Sequence, residues 1–310
     1  MGKDRKLKGG MSLYVSEDET FAVTSNARNS VYVYDISGVK ENLVFSTRTV
    51  SNVAYKAVSP DKKLLACKNT SGEIAVISLE SGEELFRNKM RKNEGYQITF
   101  TDDGRYIMDF DWGGTTMSLD CTTGEHKVLD GPNIRGKNGL PYVSYMGYDR
   151  YSKQIYKIVE GPTGHDIRSG VVMAAKPDPD KVKYKEVRKI KGFVPGSLNS
   201  ISLCKKRNYY FDPEEGVIVA ADKKFQELER ISLPSLYDNC NHRLVHTWIS
   251  PGEKYAFITY AMDYALLFDL EKREIARKFP EYGYNCGFTM VRDDTVYIIS
   301  TWEGAFMGEL

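Results

Sequence analysis

The chain carries no surplus of either charge. Lys and Arg number 43 against 42 Asp and Glu in 310 residues, a formal net charge of +1. The global field of dedicated nucleic-acid or membrane-surface binders is therefore missing, and neither kind of partner is expected. No stretch approaches the ~20 apolar residues of a membrane span. The opening MGKDRKLKGG is basic but has no apolar core of a signal peptide, so the expectation is a cytoplasmic protein. Cysteine is sparse: Cys67, Cys121, Cys204, Cys240 and Cys286 are odd in number and form no C-x-x-C pair. That excludes a disulfide framework and a zinc ribbon, and Cys67, Cys121 and Cys204 fall in strand-like runs where a thiol packs as a small hydrophobe. Of the four histidines, His126, His165, His242 and His246, only the last two are four apart. Their segment reads as a loop entering a strand, where that spacing spans ~13 Å, too far to share one metal. His246, in line with Trp248, is expected to be a packed histidine. There is no G-x-S-x-G elbow, P-loop or dinucleotide fingerprint. No cofactor and no metal are expected.

What is present is a phrase recurring about every 42 residues: turn, β-rich run, polar gap, second β-rich run, turn. The clearest copy, residues 59–85, reads SPDKKLLACKNTSGEIAVISLESGEEL. Seven copies align, with runs starting near Phe21, Leu65, Tyr106, Ile155, Tyr209, Tyr255 and Val296, at steps of 41 to 54 residues. Turns rich in Ser, Pro, Asp and Gly precede them, among them SEDE at 16–19, SPDKK at 59–63, TDDGR at 101–105 and SPGEK at 250–254. The following runs, such as EIAVISL at 73–79 and ALLFDL at 265–270, are almost continuously apolar, as strands buried on both faces must be. A period of this length with strands alone predicts an all-β fold, a seven-bladed β-propeller of four-stranded antiparallel blades. One domain is expected, with blades at about 11–50, 51–92, 93–130, 140–191, 196–233, 242–280 and 284–310. Folding at this length buries roughly three-quarters of the unfolded surface, enough for a large core.

The seventh copy ends at its third run and lacks an outer strand. Residues 3–8, KDRKLK, precede the first copy with nothing else to pair with, and are predicted to supply that strand and close the ring. The alternative is a disordered basic tail. One unit is also longer than the rest: 162–189 includes PDPD at 177–180, an elongated hairpin that reads as surface loop growth or as a docking device.

The turn–strand–gap–strand pattern with its S-x-E-S-G-E turn resembles the WD40 and YVTN-like seven-bladed propellers over essentially the whole chain. The Trp-Asp and Gly-His pairs of true WD40 repeats are absent. Tyr34-Asp35, Leu119-Asp120, Ala221-Asp222 and Phe268-Asp269 stand in their place, so the resemblance is to a divergent member. It implies a functional face at one end of the central channel, formed by the loops between second and third strands and those between blades.

On that face the second-to-third loops bring Trp112 and Trp302 beside glycine, with Tyr264 and His165. Aromatic area in loops suits recognition of a peptide or small ligand. The blade-to-blade loops add Tyr142 and the cations Arg91, Lys92, Arg135, Lys137 and Arg243. Two readings follow. The first is a noncatalytic interaction module, monomeric, binding a protein, peptide or small ligand through Trp112, Tyr142, His165, Arg243, Tyr264 and Trp302. The second is a propeller hydrolase or lyase acting on a carbohydrate or lactone-like substrate, with Asp109, Asp111, His165 and Glu303 as candidate acids and bases.

Overall fold

A computed structural model describes residues 4–89, 95–111, 113–131, 143–160, 169–191, 201–212, 215–233, 244–260, 264–279 and 285–310. Among them lie 28 strands in seven four-stranded antiparallel sheets arranged as blades around a ring. β1 (Arg5–Leu7) is set apart from its sequence neighbours. Blade 1 is β2 (Ser12–Val15), β3 (Phe21–Ser25), β4 (Ser30–Asp35) and β5 (Asn42–Arg48); blade 2 is β6 (Val53–Val58), β7 (Leu64–Asn69), β8 (Glu73–Ser78) and β9 (Glu84–Lys89). Blade 3 is β10 (Gly95–Phe100), β11 (Tyr106–Asp111), β12 (Thr116–Asp120) and β13 (His126–Asp130); blade 4 is β14 (Val143–Asp149), β15 (Gln154–Glu160), β16 (Ser169–Ala175) and β17 (Lys185–Lys191). Blade 5 is β18 (Ile201–Leu203), β19 (Asn208–Asp212), β20 (Val217–Ala221) and β21 (Glu227–Ser232); blade 6 is β22 (Leu244–Ile249), β23 (Tyr255–Tyr260), β24 (Tyr264–Asp269) and β25 (Glu274–Phe279). Blade 7 is β26 (Asn285–Val291), β27 (Val296–Thr301) and β28 (Gly304–Glu309), completed by β1. The first strand of each blade is innermost: β2 lies beside β6 and β26, β6 beside β10, and β10 beside β14.

The ring closes as the missing outer strand demanded. β1 pairs antiparallel with β28 in the register Arg5↔Met307, Lys6↔Phe306, Leu7↔Ala305. Leu7 is buried in the cluster between blades 7 and 1, with Ala22, Ile298 and Met307. Asp4 accepts from the Tyr297 hydroxyl and lies 3.2 Å from Arg277. The strand is shorter than the predicted 3–8, because Lys8 already turns toward blade 1, its N–H donating to Tyr34 Oη at 2.7 Å.

The core is divided rather than central. Seven buried clusters form, one at each junction between neighbouring blades, such as Val23, Val31 and Val33 against Leu65, Cys67 and Ile77. Between blades 6 and 7, Phe257 stacks on Phe288 with ring centroids 4.3 Å apart and planes 3° apart. This explains the apolar runs, since second and third strands meet a neighbour on each face. Cys67 sits inside β7, but Cys121 and Cys204 lie one residue beyond β12 and β18, a small correction to their placement within strands.

Turns at the end opposite the second-to-third loops are tied from blade to blade. Lys62 bonds Asp18, Lys153 bonds Asp102 at 2.7 Å, and the Lys206 N–H donates to Glu253 at 2.5 Å. Ser250 bonds Asp294, and the Arg292 N–H donates to Glu19 at 2.7 Å, carrying the pattern across the closure. The aspartates standing where WD40 repeats have Trp-Asp cap the third-to-fourth turns. Asp120 accepts from the N–H of Thr122, Asp222 from Lys224, Asp269 from Glu271 and Asp35 from Ser37, at 2.7 to 3.0 Å. The long hairpin of blade 4 is no free loop. Pro179 O accepts from Ser118 Oγ and Tyr184 Oη bonds Thr116 Oγ1, both at 2.8 Å, which straps the connection onto blade 3.

Candidate functional site

At the predicted functional face, the second-to-third turns of blades 1, 2 and 3 are each capped by one side chain. Asn26 accepts from the N–H of Arg28 and Ser30 at 3.1 and 3.0 Å, and Asn69 from Ser71 and Glu73 at 2.9 and 2.8 Å. Asp111 accepts from Thr115 N–H at 2.8 Å. These Asx-type caps hold the turns open and consume the side chains that do it. Asp111 thus caps its own turn.

Beneath the turns lie buried lysines that sequence reasoning missed. Lys68 of β7 reaches across the blade 2–3 junction to Asp109 of β11, both essentially inaccessible, and also donates to Phe110 O at 3.2 Å. Burial raises the Asp109 pKa while the Lys68 charge opposes the rise. The pair fits only because residue 95 is glycine: a Cβ there would lie 1.9 Å from Phe110 O and 2.2 Å from Lys68 Nζ. Lys157 bridges blades 4 and 3, 2.8 Å from Asp130 and 4.8 Å from the Tyr184 ring centroid. Lys56 donates to Ser12 O at 3.1 Å and to Ser12 Oγ, and burial lowers its pKa to about 8. A signal for these ties existed. Lys56–Ser12, Lys62–Asp18 and Lys68–Asp109 are separated by 44, 44 and 41 residues, one repeat period each.

His246 is the packed histidine expected of it: it is buried, its ring centroid lies 5.0 Å from that of Trp248, and burial pushes its pKa down to about 4. Burial likewise pushes the thiols of Cys67 and Cys286 up to about 12, which leaves them protonated and unreactive at neutral pH. Among the described residues no three His, Cys, Asp or Glu side chains converge where they would hold a metal ion.

One concavity of this face sits over the closing seam. It is a cleft of about 510 Å³ lined by Lys6 and Lys8 from the N-terminal segment, Asn26 and Tyr32 from blade 1, and Trp302 and Glu303 from blade 7. Trp302 occupies the two-residue turn between β27 and β28 and is 60% exposed, the most exposed aromatic ring among the described residues. Gly10 forms part of the lining because the chain there passes over blade 7; a Cβ would lie 2.1 Å from Thr301 O. The residues that line the cleft thus include a tryptophan, a tyrosine, two lysines and a glutamate drawn from three chain segments.

Of the binding residues expected from sequence, the structure brings Trp302 to the cleft. Tyr264 begins β24, its backbone paired with Tyr260. Trp112, Tyr142, His165 and Arg243 lie outside the described residues, as do Arg91, Lys92, Arg135 and Lys137. Glu303 is exposed beside Trp302. Lys6, Lys8 and Tyr32 were not singled out from sequence, because only ring closure brings residues 6–11 against residue 302.

No family model matches the chain, and no curated protein matches it. Solved structures match over its whole length. The β-propeller domain of Cps50 (Swd1) from Myceliophteria thermophila superposes with a TM-score of 0.73 at 10% identity, covering 99% of each chain. Hydrazine synthase of Kuenenia stuttgartiensis superposes with a TM-score of 0.73 at 14% identity, covering 100% of this chain and 98% of that one. One is a propeller domain and the other an enzyme, so at these identities the likeness carries the fold and no activity. The chain has the fold of a seven-bladed β-propeller.

Proposed function

We propose that this propeller is a noncatalytic interaction module that engages a protein or peptide on the face around the channel mouth, with the Trp302 cleft as its anchoring point. The observation that carries the reading is the exposed Trp302 in a cleft that Lys6, Lys8 and Tyr32 also line. A large aromatic held by a short turn brings contact area at low entropic cost, and interface hot spots favour Trp and Tyr. The enzyme reading is weaker, because Asp109 is committed to Lys68 and Asp111 to its turn.

Affinity capture with immobilised wild-type and Trp302→Ala protein tests this. The variant is expected to lose at least about tenfold in binding of the captured partner, with little change in melting temperature because Trp302 is 60% exposed. Equal capture by both proteins would overturn the assignment of the cleft.

A further inference from the structure

Residues 176–191, KPDPDKVKYKEVRKIK, hold seven Lys and Arg against three Asp and Glu, a surplus of +4 in a chain of net charge +1. The fold fixes this charge in place. Val182 and Tyr184 pack against the blade 3–4 cluster, and Arg188 Nε donates to Lys224 O of blade 5 at 3.1 Å. Lys176, Lys181, Lys183, Lys185 and Lys189 are left exposed, and among the described residues none of the five forms an ion pair. Two of the three acids are occupied. Asp178 accepts from the N–H of Asp180 and Lys181, and Asp180 lies 3.7 Å from Lys127 of blade 3. The corresponding outer strands β21, ELERIS, and β25, EIARKF, carry net charges of −1 and +1, against +3 for β17, KEVRKIK.

β17 is also an open edge, hydrogen-bonded to β16 on one side only. We propose that this edge of blade 4 docks an extended acidic segment of a partner protein, which adds beside β17 as a fifth strand. The backbone edge supplies donors and acceptors at strand spacing, and the lysines supply complementary charge. The same lysines repel other basic edges, so the surface resists self-association while admitting an acidic strand. An oligonucleotide fits less well. It offers charge but no strand edge, and the Tyr184 ring that stacking would need is engaged by Thr116 and Lys157. This surface is distinct from the Trp302 cleft, and Trp302→Ala leaves it unchanged.

The probe is a fluorescein-labelled peptide of alternating Glu and Val, titrated with the full chain at low ionic strength and followed by anisotropy. Saturable binding that weakens with added NaCl is expected. The combined variant Lys181→Glu, Lys183→Glu, Lys185→Glu, Lys189→Glu should weaken it at least about tenfold, and a Lys-to-Gln version of the same four positions provides the gentler check should the first not fold. On wild-type protein, the same peptide N-methylated at alternate residues should bind at least about tenfold more weakly, since it loses the strand hydrogen bonds. Absence of saturable binding overturns the proposal. So does undiminished binding by the folded variants or by the N-methylated peptide, or equally tight binding of an oligothymidylate that displaces the probe.

Discussion

Asp109 shows how burial changes what a carboxylate is for. From sequence it is one of a pair, Asp109 and Asp111, two apart on a strand and plausible as an acid and a base. In the fold it faces Lys68 across a blade junction with no access to solvent. Removing one partner leaves the other charge buried and uncompensated, whereas removing both leaves an apolar site. Asp109→Ala is expected to cost about 3–5 kcal/mol in urea unfolding, and Lys68→Met with Asp109→Leu to recover most of that loss. Additive losses in the double variant would refute the coupling. His246 makes a separate prediction in pH. Its folded pKa of about 4 lies below the ordinary 6.5, so the unfolded chain binds the proton first. Its contribution is complete above pH ~6.5 and is lost as pH falls toward 4, a difference of roughly 2–3 kcal/mol at most. The stability gap between wild type and His246→Phe, measured from pH 7 to pH 4, should shrink across that window; a constant gap argues against a buried neutral imidazole.

Strands and turns were the most legible level. Each predicted second-strand start falls within one residue of the observed one, Leu65 against Leu64 and Ile155 against Gln154 among them. The reason is local: turn chemistry and apolar runs act over a few residues, which sequence displays directly. The turn aspartates differ in worth according to burial. Asp269 is buried and accepts from the N–H groups of Glu271 and Lys272 at 3.0 and 2.9 Å, so Asp269→Ala should cost about 1–2 kcal/mol. Lys153 and Asp102 are an exposed pair, and Lys153→Ala should change stability by less than about 0.5 kcal/mol. Chemical unfolding of the two variants side by side checks the ranking; a larger loss from Lys153→Ala would reverse the argument.

The ring as an assembled object depends on three residues of strand. β1 supplies the last edge of blade 7, seats Leu7 between blades 7 and 1, and carries Asp4 to Arg277 and Tyr297. Leu7→Ala should therefore cost about 2–4 kcal/mol through the cavity it leaves. Deleting residues 1–9 should lower the Tm by at least about 5 °C, since it removes that packing together with the strand pairing. An unchanged Tm on deletion would show that the ring holds without its closing strand.

The repeat period, the turn residues and the unpaired run at the N-terminus were enough to specify seven blades, their strand order and the manner of closure, because each is written in short-range pattern or in a strand count. The Lys68–Asp109 pair, the turn-to-turn ties and the Trp302 cleft were not. They arise where residues one period apart, or at opposite ends of the chain, are brought together by closure of the ring. Whether a charged or aromatic side chain becomes a buried tie or an exposed contact is settled by which blade junction or rim it meets, and that is a property of the closed ring.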